Sequence, residues 1–178
     1  AVLFPPEGWS QGVDDSKNIT PRHREELYDI TLECALSVGV GIVSHEVIDE
    51  INIYQATMRA MGEAVARLEP IPAHLLIDGP RYQNEPVPHT AIVGGDGRCF
   101  TIAAASIIAK VTRDRLMVEY HKEFPNYGFA RHKGYGTREH FEALRTYGPC
   151  QIHRRSFRMP ARQTNPSPDE PGRSDGVD

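Results

Sequence analysis

The sequence predicts an α/β fold in which a mixed β-sheet is flanked by helices. Short apolar, β-branched runs alternate with segments whose apolar residues recur at helical spacing. Two of the predicted strands, AVLF and VGVGIVS, can equally pair antiparallel, which favours a mixed sheet over a purely parallel one. The chain has 178 residues, 39% of them hydrophobic, which suffices for one domain with a core.

The first third of the chain is predicted to form a strand, a helix and a second strand. Residues 1–6 indicate a strand that prolines end. Thr20 and Pro21 open the helix, because threonine can cap a helix and proline suits its first position. The inward stripe of this helix comprises Leu27, Ile30, Thr31 and Cys34. In the strand that follows, Gly39 and Gly41 permit close packing or a bend.

The remaining elements alternate helices with two short strands. Ser44 is a candidate cap for a helical region that is interrupted near the sequence INIY. HLLID and HTAIVGG are predicted strands. A long helix is expected from Cys99 to about His121, and its small-residue run allows close packing on a sheet. Thr137 is predicted to cap a last helix, which ends at Gly148.

We expect one domain over residues 1–160 and a disordered tail over residues 161–178. The segment after Pro160 has almost no apolar residue and is rich in proline. No apolar run is long enough to span a membrane, and no secretory signal is visible. The odd number of widely spaced cysteines predicts reduced thiols in a cytoplasmic protein. The motifs of nucleotide-hydrolysing, dinucleotide-binding and serine-esterase enzymes are absent from the sequence.

Charge is distributed unevenly along the chain. The formal net charge is −4, yet residues 98–162 hold 13 Lys and Arg against 5 Asp and Glu. Residues 1–97 hold 6 Lys and Arg against 15 Asp and Glu, so the excess of positive charge is confined to about one third of the chain. A concentrated basic segment is compatible with binding to phosphates even where the whole chain is acidic.

Two aspartates each end an apolar run next to glycine: Asp78 in LLIDGP and Asp96 in AIVGGDG. Either one alone is most simply a strand-ending turn, because Asp bonds its own backbone and Gly tolerates positive φ. Two such strands, adjacent in a hairpin or as neighbours, would bring both carboxylates to one edge. Carboxylates at one edge repel each other unless a cation lies between them, so the pair predicts a metal site.

The basic segment also places an aromatic ring in a glycine-flanked loop. Tyr135 lies in HKGYGT, directly after His132 and Lys133. This pattern fits either a turn with a surface tyrosine or a groove in which a ring stacks on a sugar or base beside a phosphate backbone. The HRRSF stretch that follows contains His153, Arg154 and Arg155, which suit phosphate contacts but are more simply a solvated cluster at a helix end.

Six stretches occur together in one order and spacing: DDSKNITPRHREELY, INIYQATMRAM, LLIDGP, SIIAKVTRDRLM, YGFARHKGYGT and HRRSF. Spread over nearly all of residues 1–160, they resemble bacterial ribonuclease HII, the type 2 ribonuclease H. The resemblance implies a ribonuclease H-like fold. It also implies an endonuclease that cuts the RNA strand of RNA–DNA hybrids and single ribonucleotides embedded in DNA, with Mg²⁺ or Mn²⁺ as cofactor.

The resemblance also implies roles for individual residues. Asp78 and Asp96 match the third and fourth of four acidic ligands in a two-metal site, and Tyr135 matches a tyrosine that packs against a sugar beside the ribonucleotide. Ser16 and Lys17 match a loop near the substrate backbone. Lys110 and Lys133 are further candidate substrate contacts, while Asp114 is expected to be an ion-paired structural carboxylate.

One family motif has no counterpart in this sequence. The family opens with a strand that ends in Asp-Glu-Ala-Gly-Arg-Gly and supplies the first two acids, whereas this chain begins at AVLFPP. We therefore expect an N-terminally truncated sequence that lacks the first strand. A GGD triplet also stands where Lys-Gly-Asp is usual. The alternative to an active enzyme is an inactive fragment or remnant that still binds hybrids; a monomer is expected in either case.

Overall fold

Helices and short strands alternate as the sequence pattern predicts, and the α/β class is confirmed. The structure is a computed structural model that describes residues 1–6, 19–80 and 87–157. Within these residues the helices are α1 (Pro21–Cys34), α2 (His45–Val65), α3 (Phe100–Glu123), α4 (Phe129–His132) and α5 (Arg138–Tyr147). The strands are β1 (Val2–Leu3), β2 (Ser37–Val38), β3 (Leu75–Asp78) and β4 (His89–Ile92), and 3₁₀ turns lie at Gly95–Gly97 and Pro125–Tyr127.

The strands form one antiparallel and one parallel pair. β1 pairs antiparallel with β2, with Val2 opposite Val38. β3 pairs parallel with β4, with Asp78 opposite Ile92. The expected mixture of pairings is therefore present, although in the described residues it takes the form of two separate two-stranded sheets. Of the predicted strand VGVGIVS, only Val38 carries ladder bonds, together with Ser37 directly before it.

The two glycines after β2 allow the chain to lie directly against α2. A Cβ atom at Gly39 would lie 1.9 Å from the Ala64 carbonyl oxygen, and one at Gly41 would lie 1.9 Å from the Ala60 carbonyl oxygen. No real Cβ atom approaches backbone this closely, so any larger residue must push the segment away from the helix. The close packing predicted for these glycines is confirmed.

We expect Gly41→Ala to destabilise the fold. The clash is with backbone, which cannot move as a side chain can, so the loss should reach or exceed the roughly 1–3 kcal/mol that is usual for overpacking. Thermal unfolding followed by circular dichroism measures it. Ile42→Ala is the control, because that side chain is 58% exposed and its removal should leave the melting temperature nearly unchanged. Equal melting temperatures for the two variants would contradict this account of the segment.

All three predicted caps stand at the start of a helix, and two of them make the side-chain capping bond. The Thr20 hydroxyl accepts a hydrogen bond from the His23 backbone at 3.3 Å, and the Thr137 hydroxyl accepts one from the His140 backbone at 3.2 Å. Ser44 stands at the N-cap of α2, as predicted, but its side chain makes no capping bond. Its hydroxyl bonds instead to Glu46, whose pKa is thereby lowered.

The interruption predicted near INIY is a kink inside α2. Asn52 has φ 71° and ψ 165°, a backbone conformation that residues other than glycine rarely adopt. Its side-chain oxygen accepts hydrogen bonds from the backbone of Tyr54 at 3.0 Å and of Gln55 at 3.1 Å. Asn52 thus acts as an internal cap that restarts the helix after the kink.

The core is built around α3. Its small and apolar residues allow other elements to approach closely, and Ile107 and Val111 pack against Leu27 of α1. The buried residues of α3 are Ile102, Ala103, Ala104, Ile107, Ile108 and Val111. Thr31 of α1 is fully buried and donates its hydroxyl to the Leu27 carbonyl at 2.7 Å, so the polar group is satisfied.

The segment after α5 is fixed to α2 by one carboxylate. Asp49 accepts hydrogen bonds from the backbone N–H of Arg155 at 2.7 Å and of Ser156 at 2.9 Å. The Ser156 hydroxyl also donates to Asp49, and these bonds lower the pKa of that carboxyl to about 2. The backbone of the HRRSF stretch is therefore anchored, while Arg155, Ser156 and Phe157 remain exposed to solvent.

Several expectations from the sequence concern other features of the chain. Cys34, Cys99 and Cys150 are free thiols, as expected. Within the described ranges, no helix combines the length and apolar character needed to cross a membrane. Ser16, Lys17, the boundary at residue 160 and the tail over 161–178 lie outside the described residues.

Candidate functional site

Asp78 and Asp96 lie at the same edge of the parallel sheet. β3 ends at Asp78, and β4 continues into the 3₁₀ turn that holds Asp96. The Gly95 backbone N–H donates to Asp78 Oδ1 at 2.8 Å, so the residue next to Asp96 binds the other carboxylate directly. The two strand ends lie next to each other, which is the arrangement that the sequence predicts. It arises from parallel neighbours, because the carboxyl ends of parallel strands face one way.

The glycines of VGGDG shape the turn that carries Asp96. Gly94 has a φ of +64°, which reverses the chain after β4 without the steric cost of a Cβ atom. Gly95 is buried, and a Cβ atom there would lie 2.5 Å from the Ile102 side chain of α3. This close approach brings the backbone N–H of Gly95 to Asp78, so the glycines position both carboxylates.

The donors at this edge suit a hard divalent cation. Both side chains offer carboxylate oxygens, which Mg²⁺ and Mn²⁺ prefer, whereas thiol and imidazole ligands are not part of the pair. Asp78 is exposed and Asp96 is half-buried. A carboxylate has about four lone-pair sites, so the bond from Gly95 leaves Asp78 able to act as a ligand. In the part of the chain that is described, no group of three or more His, Cys, Asp or Glu side chains could hold a metal.

A cleft of about 190 Å³ extends from Asp96 along α3. Ser106, Ile107 and Lys110 of α3 line it, and Arg24 of α1 lies on its other side. The Arg24 guanidinium is held by a hydrogen bond to the Ile19 carbonyl at 3.1 Å. Sequence reasoning missed Arg24 and Ser106, because no local pattern links their helices to the strand end.

Tyr135 lies beyond Lys110, and its ring contacts two cations of α3. The Lys110 ammonium is 5.1 Å from the centre of the Tyr135 ring, and the Arg113 guanidinium is 4.7 Å from it. The ring is 52% exposed. Lys110 is also 2.5 Å from Asp114 Oδ1, which agrees with the structural ion pair expected for that carboxylate. The site therefore runs from the two aspartates through Lys110 to an exposed, cation-flanked ring.

Lys133 is not part of that cleft. Its ammonium donates to the Ala130 carbonyl, and the residue lines a second cleft of about 400 Å³ between α1 and α3. Arg24 lines both clefts, whereas Asp114 and Arg115 line only the second. The structure therefore brings Asp78, Asp96, Lys110 and Tyr135 into one line and leaves Lys133 beside it.

The HRRSF stretch divides between an exposed and an inward-facing part. The Arg154 guanidinium is 3.6 Å from the centre of the Phe157 ring, and burial together with Arg113 lowers its pKa. His153 bonds to His140 at 3.0 Å in the interior. The interpretation of His153 as a phosphate contact or a solvated side chain is therefore wrong, because both of its ring nitrogens bond within the protein.

Known proteins resemble this chain over most of its length. A family model described as Ribonuclease HII matches residues 9–159. The Ribonuclease HII of Bacillus cytotoxicus is 53% identical over 157 residues, which cover 88% of this chain and 60% of that protein. The Ribonuclease HII of Geobacter metallireducens is 51% identical over 158 residues, covering 89% of this chain and 74% of that protein. The chain thus spans about three fifths of the length of the Bacillus cytotoxicus protein.

Solved structures show the same fold. The ribonuclease H2 from Pyrococcus horikoshii OT3 aligns with a TM-score of 0.68 and 25% identity, over 82% of this chain and 77% of that one. The PCNA:RNase HII complex from Archaeoglobus fulgidus contains a chain that aligns with a TM-score of 0.67 and 23% identity, over 84% of this chain and 80% of that one, a likeness in fold alone. The ribonuclease H-like fold is confirmed, and the chain belongs to the ribonuclease HII family.

Proposed function

We propose that this chain is an endonuclease that cuts the RNA strand of RNA–DNA hybrids and DNA at single embedded ribonucleotides. The reaction is hydrolysis of a phosphodiester bond assisted by divalent cations, which leaves a 5′-phosphate and a 3′-hydroxyl. The observation that carries the proposal is the placement of Asp78 and Asp96 at one sheet edge, in a chain of this family. A line of cations and an exposed aromatic ring leads away from that edge.

Asp78 and Asp96 are the residues that would hold Mg²⁺ or Mn²⁺. When bound, such ions lower the pKa of a coordinated water and stabilise charge on the leaving oxygen. The protein's own contribution is orientation: Gly95 holds one oxygen of Asp78, and the glycine turn sets the position of Asp96. Fixed ligands stabilise developing charge without reorganising during the reaction.

The basic line along α3 would bind the nucleic-acid backbone. Lys110 and Arg113 place positive charge beside the Tyr135 ring, and Arg24 adds charge across the cleft from Asp96. A phosphate backbone laid along these cations would bring a sugar onto the exposed face of Tyr135. We assign Lys133, Ser16 and Lys17 to outer contacts of the same duplex. The monomeric state and the cytoplasmic location stay predictions.

A cleavage assay tests the proposed function. Labelled duplexes with one ribonucleotide, with a full RNA strand and with DNA alone are incubated in Mg²⁺, in Mn²⁺ and with a chelator. Two forms are compared: residues 1–178, and the same residues preceded by a segment carrying the family motif Asp-Glu-Ala-Gly-Arg-Gly. We expect metal-dependent cleavage of the ribonucleotide-containing duplexes by at least one form. Equal cleavage of the DNA duplex would contradict the proposed substrate.

The alternative function is binding of hybrids without cleavage. It is favoured by the finding that the described residues contribute two carboxylates to the candidate metal site rather than a larger group. Failure of both forms to cleave, with binding of the ribonucleotide-containing duplex intact, would support this alternative and reject the endonuclease.

Duplex binding should weaken with added salt, and Lys110 should account for part of that dependence. Removing one phosphate contact lowers the slope of log affinity against log salt by about 1. We therefore expect Lys110→Ala to reduce the slope measured by fluorescence anisotropy. Lys122→Ala is the control, since its ammonium lies on the same helix and pairs with Glu119 at 2.7 Å. Identical slopes for both variants would show that Lys110 does not contact the backbone.

A further inference from the structure

A chain of hydrogen bonds through two histidines ends at the backbone of Tyr135. The Cys150 backbone N–H donates to His153 Nδ1 at 2.9 Å. His153 Nε2 is 3.0 Å from His140 Nε2, and His140 Nδ1 is 2.9 Å from the Tyr135 carbonyl oxygen. The chain thus links the segment after α5, through the first turn of α5, to the loop that presents the ring.

The two ends of this chain determine where its protons are. A backbone N–H can only donate, so His153 Nδ1 carries no proton and the proton of that ring is on Nε2. That proton is donated to His140 Nε2, which must be an acceptor. The proton of His140 is then on Nδ1, where it meets a carbonyl that can only accept. Both rings are neutral, and each is limited to one tautomer.

A third histidine holds the same loop from the other side. The Gly134 backbone N–H donates to His132 Nδ1 at 3.2 Å, so the proton of His132 is on Nε2, 2.7 Å from the Tyr127 carbonyl oxygen. The His132 and His140 rings stack with their centres 4.6 Å apart and their planes 17° apart. His132 therefore holds the N–H of Gly134 and His140 holds the carbonyl of Tyr135. The stacking of the two rings keeps both in place.

The surroundings of the rings favour their neutral forms. His132 and His140 are only 8% and 7% exposed, and Phe129 packs its edge against both. Burial is the main reason that the pKa values of His132 and His153 lie below 6.5. The other titratable or charged groups around the cluster are Tyr127, Arg131, Glu139, Cys150 and His45.

We propose that His132 and His140 are positioning residues for Tyr135, and that the neutral histidine chain holds the substrate-sensing ring against Lys110 and Arg113. This rests on the proposed function, in which Tyr135 contacts the sugar beside the ribonucleotide. The backbone of the loop is held by the histidines and its ring by the α3 cations, so losing either set shifts the ring. Tyr135 is thus presented on a rigid support.

Protonation of any acceptor nitrogen disrupts the chain of hydrogen bonds. A proton on His153 Nδ1 would face the Cys150 N–H, and one on His140 Nε2 would face the His153 N–H. Unfolded histidine binds a proton near pH 6.5, whereas His132 and His153 in the folded chain bind one only at lower pH. Their stabilising contribution is therefore complete above about pH 6.5 and declines as the pH falls toward the folded-state values.

The tautomers are tested first, by ¹⁵N NMR of the histidine rings in residues 1–178 at pH 7.5. We expect His132 and His153 to carry their protons on Nε2, and His140 to carry its proton on Nδ1. This measurement does not depend on nucleic acid, so it separates the hydrogen-bond chain from the proposed function. Observation of His140 as the Nε2–H tautomer, or as a charged ring, would overturn the inference.

A double-mutant cycle then tests whether His140 acts through Tyr135. The readout is the ratio of affinities for a duplex with one ribonucleotide and for the same duplex in DNA. His140→Ala should lower this ratio about 3- to 10-fold, the range for one hydrogen bond, and His140→Asn, which retains an N–H donor near the loop, should lower it less. In a Tyr135→Ala background, His140→Ala should change nothing further. An additional loss in that background would overturn the positioning role.

The pH profile completes the experiment and covers the case in which His140→Ala does not fold. In the unmodified chain the affinity ratio should fall as the pH is lowered below 6.5, and in Tyr135→Ala it should be flat. A ratio that is flat in both would reject the histidine chain as a support for the ring. One outcome separates the two proposals: Tyr135→Ala leaves the affinity ratio unchanged at pH 7.5, but NMR shows the expected tautomers. In that case the proposed role of Tyr135 is rejected, while the chain of hydrogen bonds is supported.

Discussion

Asp78→Asn and Asp96→Asn should each reduce metal-dependent cleavage of a ribonucleotide-containing duplex by about 10²-fold or more. Asparagine keeps the size and shape of the side chain but removes the negative charge that would bind the cation. The acceptor for the Gly95 N–H is kept as an amide oxygen, so the sheet edge should remain folded. Single-turnover cleavage in Mg²⁺ measures the loss, on whichever form of the chain is active.

Asp114→Asn is the matched control for both variants. That carboxylate lies on α3 and pairs with Lys110 at 2.5 Å, so its loss should affect stability more than the chemical step. A second readout is binding of Mn²⁺ followed by electron paramagnetic resonance, which should weaken in Asp78→Asn and Asp96→Asn but not in Asp114→Asn. Near-normal turnover by either of the first two variants would refute the assignment of these ligands.

Tyr135→Ala is expected to have the second largest effect. Stacking contacts of this kind are worth roughly 1–3 kcal/mol, or about 5- to 150-fold in affinity or rate. Tyr135→Phe should retain most of the function, because the ring still contacts Lys110 and Arg113 and only the hydroxyl is lost. Both variants are measured on a duplex with one ribonucleotide and on a long hybrid.

The comparison of the two substrates is what identifies a junction-sensing role. A ring that packs on the sugar at an RNA-to-DNA junction matters more for the single ribonucleotide than for a uniform hybrid. Tyr147→Ala is the control, since this tyrosine of α5 is similarly exposed. Equal losses on both substrates with Tyr135→Ala would count against junction sensing, and a similar loss with Tyr147→Ala would indicate a general effect on binding.

The helices could be predicted because their signals are local. Thr20 and Thr137 cap their helices through neighbours three residues away, and the interruption of α2 is stabilised by bonds from Asn52 to backbone two and three residues later. Ser44 was also placed correctly at the start of α2, although it makes no capping bond. A residue of the right type stood at the right place, but its hydroxyl bonded to Glu46, a choice that spacing does not reveal.

The candidate site was predictable only in its separate parts. The apolar runs before Asp78 and Asp96 show that each strand ends in a carboxylate, and the glycines around Tyr135 show a loop. The register that places Gly95 on Asp78, and the position of α3 that brings Lys110 and Arg113 to the Tyr135 ring, depend on contacts between residues far apart in sequence.

The sequence by itself therefore determined the class of fold, the helix limits and the chemical types at the site, because propensity, capping and apolar period act over a few residues. Tertiary structure alone decided which side chains meet. The histidines show this most clearly: nothing in the positions of His132, His140 and His153 indicates that all three bond inward. Their partners are set by packing, since a wholly or partly buried ring satisfies its nitrogens with whatever donors and acceptors the fold brings near.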